Sequence, residues 1–309
     1  KTVEVCLTEP NTEFLAYMTT AIVPKDSADT LATNPVGTGP FKYVSRNPQE
    51  NIILEKNEDY WGEKAHLDKV EFKIVADADM LVTNLKGGSI DMVMRLTTSQ
   101  AAELKEGFHI EEGTMNLVQA LYLNNAVEPL NNEKVRQALC YAINPDEIMD
   151  MMADGKGVRV GTSMYPGLKK YFDDEYTNYY EQDYDKAKKL LKEAGYPDGF
   201  TTTLMYSNTT ANQKKAEFYK QQLAEVGIDL ELNGMENAVL NEKVQGADCA
   251  GADAEVDCYL SGWSTSTGDA DWGLRPMLAT ESEPPMSFNI SYYENEKVDQ
   301  LLKDGLATA

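Results

Sequence analysis

Histidine is almost missing from this sequence: His66 and His109 are the only two in 309 residues. Both sit in polar surroundings, far apart in sequence. A His/Cys metal cluster and a Ser-His-Asp arrangement therefore lack their imidazoles. Cysteine is also scarce, and Cys6, Cys140, Cys249 and Cys258 show no C-x-x-C spacing. Cys6 and Cys140 fall inside apolar patterns, which predicts buried free thiols. Cys249 and Cys258 flank a short acidic loop that a bridge would close, although Cys258 equally fits an inward strand position. Basic residues are outnumbered, 28 Lys+Arg against 51 Asp+Glu, for a formal net charge of −23. Such a surface repels nucleic-acid phosphates and anionic lipid heads. No apolar run approaches the ~20 residues that span a bilayer. The G-x-S-x-G elbow and the glycine-rich phosphate loops are absent. Gly155-Lys156-Gly157 lacks the Ser/Thr and the spacing of such a loop, and reads as a helix stop. No signal peptide or lipid-attachment cysteine is visible. Lys1 opens straight into an alternating run, Val3, Val5, Leu7, so it reads as a boundary inside a longer chain.

What is present is a mixed α/β pattern with 42% hydrophobic residues, enough for a sizeable core. The first hundred residues predict a strand at residues 3–7 and a hairpin formed by Phe41-Lys42-Tyr43-Val44 and Ile52-Ile53-Leu54. A βαβ unit is then expected from a strand at Val70, Phe72 and Ile74, a helix near residues 78–86 stopped by Gly87-Gly88, and a strand at residues 90–94. An extended segment follows near residues 115–125. Asn131-Asn132 caps a helix whose Val135, Ala138, Leu139, Ala142 and Ile143 form one apolar stripe. Asn144-Pro145-Asp146-Glu147 starts another, with an Asn cap, Pro in the first turn and acids at the positive end. Residues 155–182 read as a Tyr-rich loop, and a helix from Asp185 ends at Gly195. Beyond it lie a strand (201–207), a helix (211–226), a strand (Ile228, Leu230, Leu232), a short helix (237–245) and a strand (Val256, Cys258, Leu260). That alternation predicts a parallel sheet. Residues 297–306 read as a closing helix.

The unusual stretch is Gly262-Trp263-Ser264-Thr265-Ser266-Thr267-Gly268-Asp269-Ala270-Asp271-Trp272. Two indoles bracket hydroxyl and carboxylate side chains directly after a predicted core strand. It reads either as a structural loop whose Asp and Ser side chains cap a helix, or as a recognition loop at a strand's carboxyl end, where open α/β sheets place ligands. Arg275 has two readings as well, a bidentate partner for a ligand carboxylate or a structural salt bridge.

At this loop the chain resembles the peptide/nickel family of extracellular solute-binding proteins of ABC importers. The resemblance runs through Gly37-Thr38-Gly39-Pro40-Phe41, Asn57-Glu58-Asp59-Tyr60-Trp61-Gly62 and Leu85-Lys86-Gly87-Gly88-Ser89-Ile90-Asp91. It continues through Val135-Arg136-Gln137-Ala138-Leu139, Tyr141-Ala142-Ile143-Asn144, and Lys186-Ala187 to Tyr196. It implies a two-lobed, type II periplasmic-binding-protein-like α/β fold, truncated here. Residues 1–115 would be part of lobe I, 116–286 lobe II with the ligand loop, and 287–309 the start of the return to lobe I. It also implies capture of a small peptide for a membrane ABC permease, by a monomer at the outer face of the membrane or in the periplasm, with no cofactor and no catalysis. Oligopeptide binders carry an Asp for the peptide ammonium where this chain has Ser266. The stretch from Gly262 to Pro276 is closer to the glutathione-binding members. The ligand residues the resemblance implies are Trp263, Ser264, Thr265, Ser266, Thr267, Asp269, Trp272 and Arg275, with Asp269 for an ammonium. Nickel-chelate or haem binding within the same family is the alternative ligand class, and an acid hydrolase using Asp269 and Asp271 the alternative activity.

Overall fold

The structure is a computed structural model and describes residues 2–75, 77–104, 106–246, 255–265 and 268–308. The chain divides into two compact units, Thr19–Glu112 and Lys1–Met18 together with Gly113–Ala309. The larger unit begins with a single-turn helix α1 (Phe14–Tyr17). Its residues 2–7 form no strand. Val3 is 87% exposed, and an alternating run gains nothing from being extended unless a neighbouring strand completes its hydrogen bonds.

The smaller unit is an antiparallel meander of β1 (Phe41–Asn47), β2 (Asn51–Lys56) and β3 (Lys69–Lys73), with β2 in the centre. The expected hairpin is present, and Gln49 turns it with φ of 63°. A bulge between Tyr43 and Ser45 keeps Tyr43 opposite Leu54 and Ile53 opposite Ser45. Helices α2 (Ala78–Lys86) and α3 (Thr98–Ala102) follow, capped by Asp77 and by a Thr97–Gln100 capping box. The βαβ expectation fails here. Residues 90–94 are not a strand, and Met92 and Met94 stand in solvent.

The larger unit is built on a four-stranded sheet of order β4-β7-β5-β6. Its strands and helices in chain order are β4 (Leu117–Leu123), α4 (Glu133–Ala142), α5 (Pro145–Ala153), α6 (Tyr184–Glu193), β5 (Phe200–Ser207), α7 (Thr210–Ala224), β6 (Ile228–Met235), α8 (Asn237–Gln245), β7 (Cys258–Ser264), α9 (Asp271–Leu278) and α10 (Glu296–Ala307). β5 runs parallel to both β6 and β7, as the sequence predicts, and β4 closes the edge antiparallel to β7. The inner strand β5 is buried on both sides. Leu204 and Tyr206 of β5 face a core with Leu139 of α4, Leu191 of α6 and Leu223 of α7. Met205 faces the opposite way, onto Leu240 and Val244 of α8. A strand covered on both faces reads as a continuous apolar run, which is how Leu204-Met205-Tyr206 appears in sequence.

The helix starts follow their caps. Asn132, Asn144 and Asp183 each accept a backbone N–H of the first turn. The stripe Val135, Ala138, Leu139 and Ala142 is buried as expected. Two glycines set the start of the parallel pair. Gly199 has φ of +80°, and a Cβ there would lie 1.8 Å from the carbonyl oxygen of Gly227.

Two cysteines depart from expectation. Cys6 and Cys140 are exposed, Cys6 on the unpaired opening segment and Cys140 one residue off the buried stripe of α4. Cys258 is a free thiol, fully buried as its inward strand position predicts; the pairing with Cys249 falls outside the described residues. Burial pushes the Cys258 thiol up to about 12.

Candidate ligand-binding loop

Strands β5 and β7 are adjacent and parallel, so their carboxyl ends open at the same edge of the sheet. The loop after β7 starts there. Leu117, at the amino end of the antiparallel edge strand β4, pairs with Ser264, and Val118 pairs with Trp263. Topology thus brings the start of β4, the end of β7 and the start of α7 together, the position at which open α/β sheets hold ligands.

The loop is built from inside out. Thr265 is buried, 2% exposed. Its carbonyl accepts from Asn116 Nδ2 at 2.9 Å, and its hydroxyl lies 3.3 Å from that of Tyr165. Asp269 is also buried, and its Oδ1 accepts from the backbone N–H of Trp272 at 2.9 Å. Asp269 therefore caps the first turn of α9, the structural role open in the sequence. Ser266 and Thr267 lie outside the described residues.

Trp263 and Trp272 face each other with ring centroids 5.8 Å apart. Phe288 lies 4.8 Å from Trp263, and Tyr17 meets Trp272 edge-on at 6.1 Å. The result is an aromatic wall beside a polar loop, a surface that gives both apolar contact and hydrogen bonding.

Arg275 is engaged within the protein. Its Nε reaches Asp271 Oδ1 at 3.0 Å and Oδ2 at 3.1 Å, and its Nη2 reaches Oδ1 at 2.8 Å. Nη2 also donates to the carbonyl of Leu302 at 2.6 Å, tying α9 to α10. Tyr17 donates its hydroxyl to Asp271 at 3.3 Å, and burial together with the Asp271 and Asp269 charges pushes that phenol up. Burial and the same two carboxylates raise the Glu13 carboxyl.

Asn116, Tyr165 and Phe288 were not legible as site residues. Neither was Lys215, which α7 buries to 9% exposure. Its Nζ donates to Gln119 Oε1 of β4 at 2.5 Å, and it has no carboxylate partner among the described residues. Burial lowers its pKa. The signal was there: Lys215 sits four residues before Tyr219 and eight before Leu223, on the buried face of α7. Among the described residues no three His, Cys, Asp or Glu side chains converge as a metal site, and no helix is long and apolar enough to cross a membrane.

The glutathione-binding protein GsiB of Pectobacterium atrosepticum is 34% identical over 284 residues, 90% of this chain and 54% of its own length. GsiB of Escherichia coli O1:K1 is 33% identical over 320 residues, covering 99% of this chain and 61% of its own. Among solved structures, the ABC transporter-associated periplasmic binding protein DppA from Helicobacter pylori, in complex with the peptide STSA, matches with a TM-score of 0.79 and 30% identity. That match covers 97% of this chain and 60% of the other. The chain therefore spans between half and two thirds of the length of these relatives, and its mixed α/β units carry the type II periplasmic-binding-protein fold. The profile of bacterial extracellular solute-binding proteins, family 5 (middle part), matches residues 1–284, and the chain belongs to that family.

Proposed function

We propose that this chain is the ligand-capturing part of a solute-binding protein that delivers a small peptide, glutathione-like in chemistry, to a membrane ABC permease. The observation that carries the reading is the 33% identity with GsiB of Escherichia coli over 99% of this chain, a protein whose name states glutathione binding. The chemistry at the carboxyl ends of β5 and β7 agrees with it. A peptide needs fixed hydrogen-bonding groups beside an apolar wall, and Thr265, Asn116, Tyr165 and the Trp263–Trp272 pair supply both.

In this reading residues 1–115 are part of lobe I, 116–286 are lobe II and 287–309 begin the return, with the loop from Trp263 to Asp269 as the recognition loop. Asp269 meets the ligand's ammonium and Trp263 or Trp272 supplies the wall. Ser264, Thr265, Ser266 and Thr267 hold the ligand's polar main chain. The protein works as a monomer outside the cytoplasm, held at the membrane as a lipoprotein or free in the periplasm, and performs no chemistry on its ligand. The hydrolase alternative loses support because Asp271 is held by Arg275 and Asp269 caps α9. A metal-chelate ligand is favoured by no described cluster.

Isothermal titration calorimetry tests the reading on the protein as its gene encodes it, with glutathione and a set of di- and tripeptides. Saturable one-to-one binding, with the ligand recovered intact by mass spectrometry, is the expected result. Absence of binding to every probe, or release of hydrolysed peptide, would overturn it.

A further inference from the structure

Lys215 is a feature of the larger unit that neither the fold nor the loop explains. A lysine on the inner face of a helix loses its hydration and needs compensation. Here the compensation is a single neutral amide oxygen, Gln119 Oε1 at 2.5 Å. An ammonium has three donors and no acceptor, so one amide leaves its charge unneutralised.

The position is as informative as the chemistry. Gln119 pairs across the sheet with Gly262, the residue before Trp263. The Leu117 side chain occupies the space beside Gly262, its Cδ1 3.0 Å from where a Cβ would sit. Gln119 is exposed on the edge strand, so the pair opens outward and is not sealed in the core. One layer further in, Leu121 of β4 and Tyr219 of α7 line a cavity of about 280 Å³, with Leu139, Ile143 and Tyr180 among its walls. Leu121 is two residues along the strand from Gln119, and Tyr219 is one helical turn from Lys215. That cavity is lined by neither Lys215 nor Gln119; the pair opens to solvent at the exposed Gln119.

We infer that Lys215 and Gln119 form a carboxylate-binding pair for the peptide-class ligand, separate from Asp269. The inference rests on the proposed function and adds the group that recognises the ligand's negative end. The ammonium gives a charge-assisted hydrogen bond to a carboxylate oxygen, and the Gln119 side-chain N–H₂ can donate a second. The bond replaces a poor partner with a charged one, so it favours binding over the empty state.

The test uses calorimetry on the protein as its gene encodes it. The probes are glutathione, its glycyl ethyl ester, and trialanine with a free or amidated carboxyl terminus. Lys215→Met removes the charge at nearly constant volume. It should weaken whichever acid probe the wild type binds by about 10- to 100-fold, the loss of one charge-assisted bond. Binding of the matching ester or amide should change less than threefold. Lys215→Arg should hold acid binding within about tenfold of wild type and serves as the second variant if the Met form does not fold. Equal weakening of acid and neutral probes by Lys215→Met, or unchanged acid binding, would overturn the inference while leaving the proposed function standing. Wild-type protein that binds none of the probes would overturn both.

Discussion

Trp263 Nε1 donates to the main-chain carbonyl of Trp272 at 2.8 Å. In an uninterrupted helix that carbonyl would accept from the N–H of residue 276, but residue 276 is Pro276, inside α9, and has no N–H to give. The indole fills the vacancy. Trp263→Phe should therefore cost more than lost ring area, about 1–3 kcal/mol from an orphaned carbonyl. Urea denaturation measures it. In a Pro276→Ala background the helix regains its own donor, so the same Trp263→Phe change should cost measurably less. Equal costs in both backgrounds would disprove the substitution of indole for backbone.

Asp269 has an observed role as a cap and a proposed role in ligand binding, and two variants separate them. The observed role is the cap on Trp272 N–H. Asp269→Asn keeps a cap oxygen, whereas Asp269→Ala removes it and should lower stability by about 1 kcal/mol. Both variants lose the negative charge. Both should therefore weaken a free-amine peptide by roughly 1.5–3 kcal/mol and an N-acetylated peptide much less. A variant series that follows stability alone would leave Asp269 as a cap only.

The parallel sheet, the capped helices and the Trp-rich loop were legible because each rests on local signals. Asn132 and Asn144 name their helix starts, and Leu204-Met205-Tyr206 names a strand covered on both sides; the third helix, expected from Asp185, is capped two residues earlier, by Asp183. The failures share a cause. Val3-Val5-Leu7 and Ile90-Met92-Met94 alternate correctly, but a strand is a relation between two segments, and alternation says nothing about whether the second one is there. Arg275 could not be resolved either, since only the fold shows Asp271 one turn before it and the Leu302 carbonyl across from it. Lys215 was overlooked for the opposite reason: its spacing was visible, but a lysine on a predicted helix is normally assigned to solvent.

The lowered pKa of Lys215 makes a stability prediction with a definite sign. Burial pushes the folded-state value below the unfolded one, near 10.5. The unfolded chain therefore holds the proton more tightly, and this group's cost is fully present at pH below the folded value. It is relieved as pH rises from there toward 10.5. Lys215→Met should thus raise the midpoint of thermal unfolding at pH 7, by an amount corresponding to about 1–2 kcal/mol. Its advantage over the wild type should shrink as pH approaches 10.5. An advantage that grows with pH would contradict the assigned burial.

Two glycines separate conformational strain from steric collision. Gly195 has φ of +95°, and the place a methyl group would take has nothing within 4 Å, so Gly195→Ala should cost about 1–2 kcal/mol. Gly199 has φ of +80° and would drive its Cβ into the Gly227 carbonyl. Gly199→Ala should exceed about 4 kcal/mol or abolish folding. Chemical denaturation of the two variants side by side gives the ratio, and similar values would contradict the close approach of the two strand starts.

The fully buried Cys258 gives the larger unit a built-in clock. Its thiol is pushed up to about 12, so it stays neutral and unreactive at physiological pH as long as the sheet is closed. Cys6 is exposed and should react with an alkylating reagent directly, whereas burial raises the Cys140 thiol and should slow it. Cys258 waits for the strands around it to open. The mass increment assigned to Cys258 by peptide mapping therefore reports the opening rate of the core itself, without a dye or an engineered label. A bound ligand that closes the protein should lengthen that delay in proportion to its occupancy.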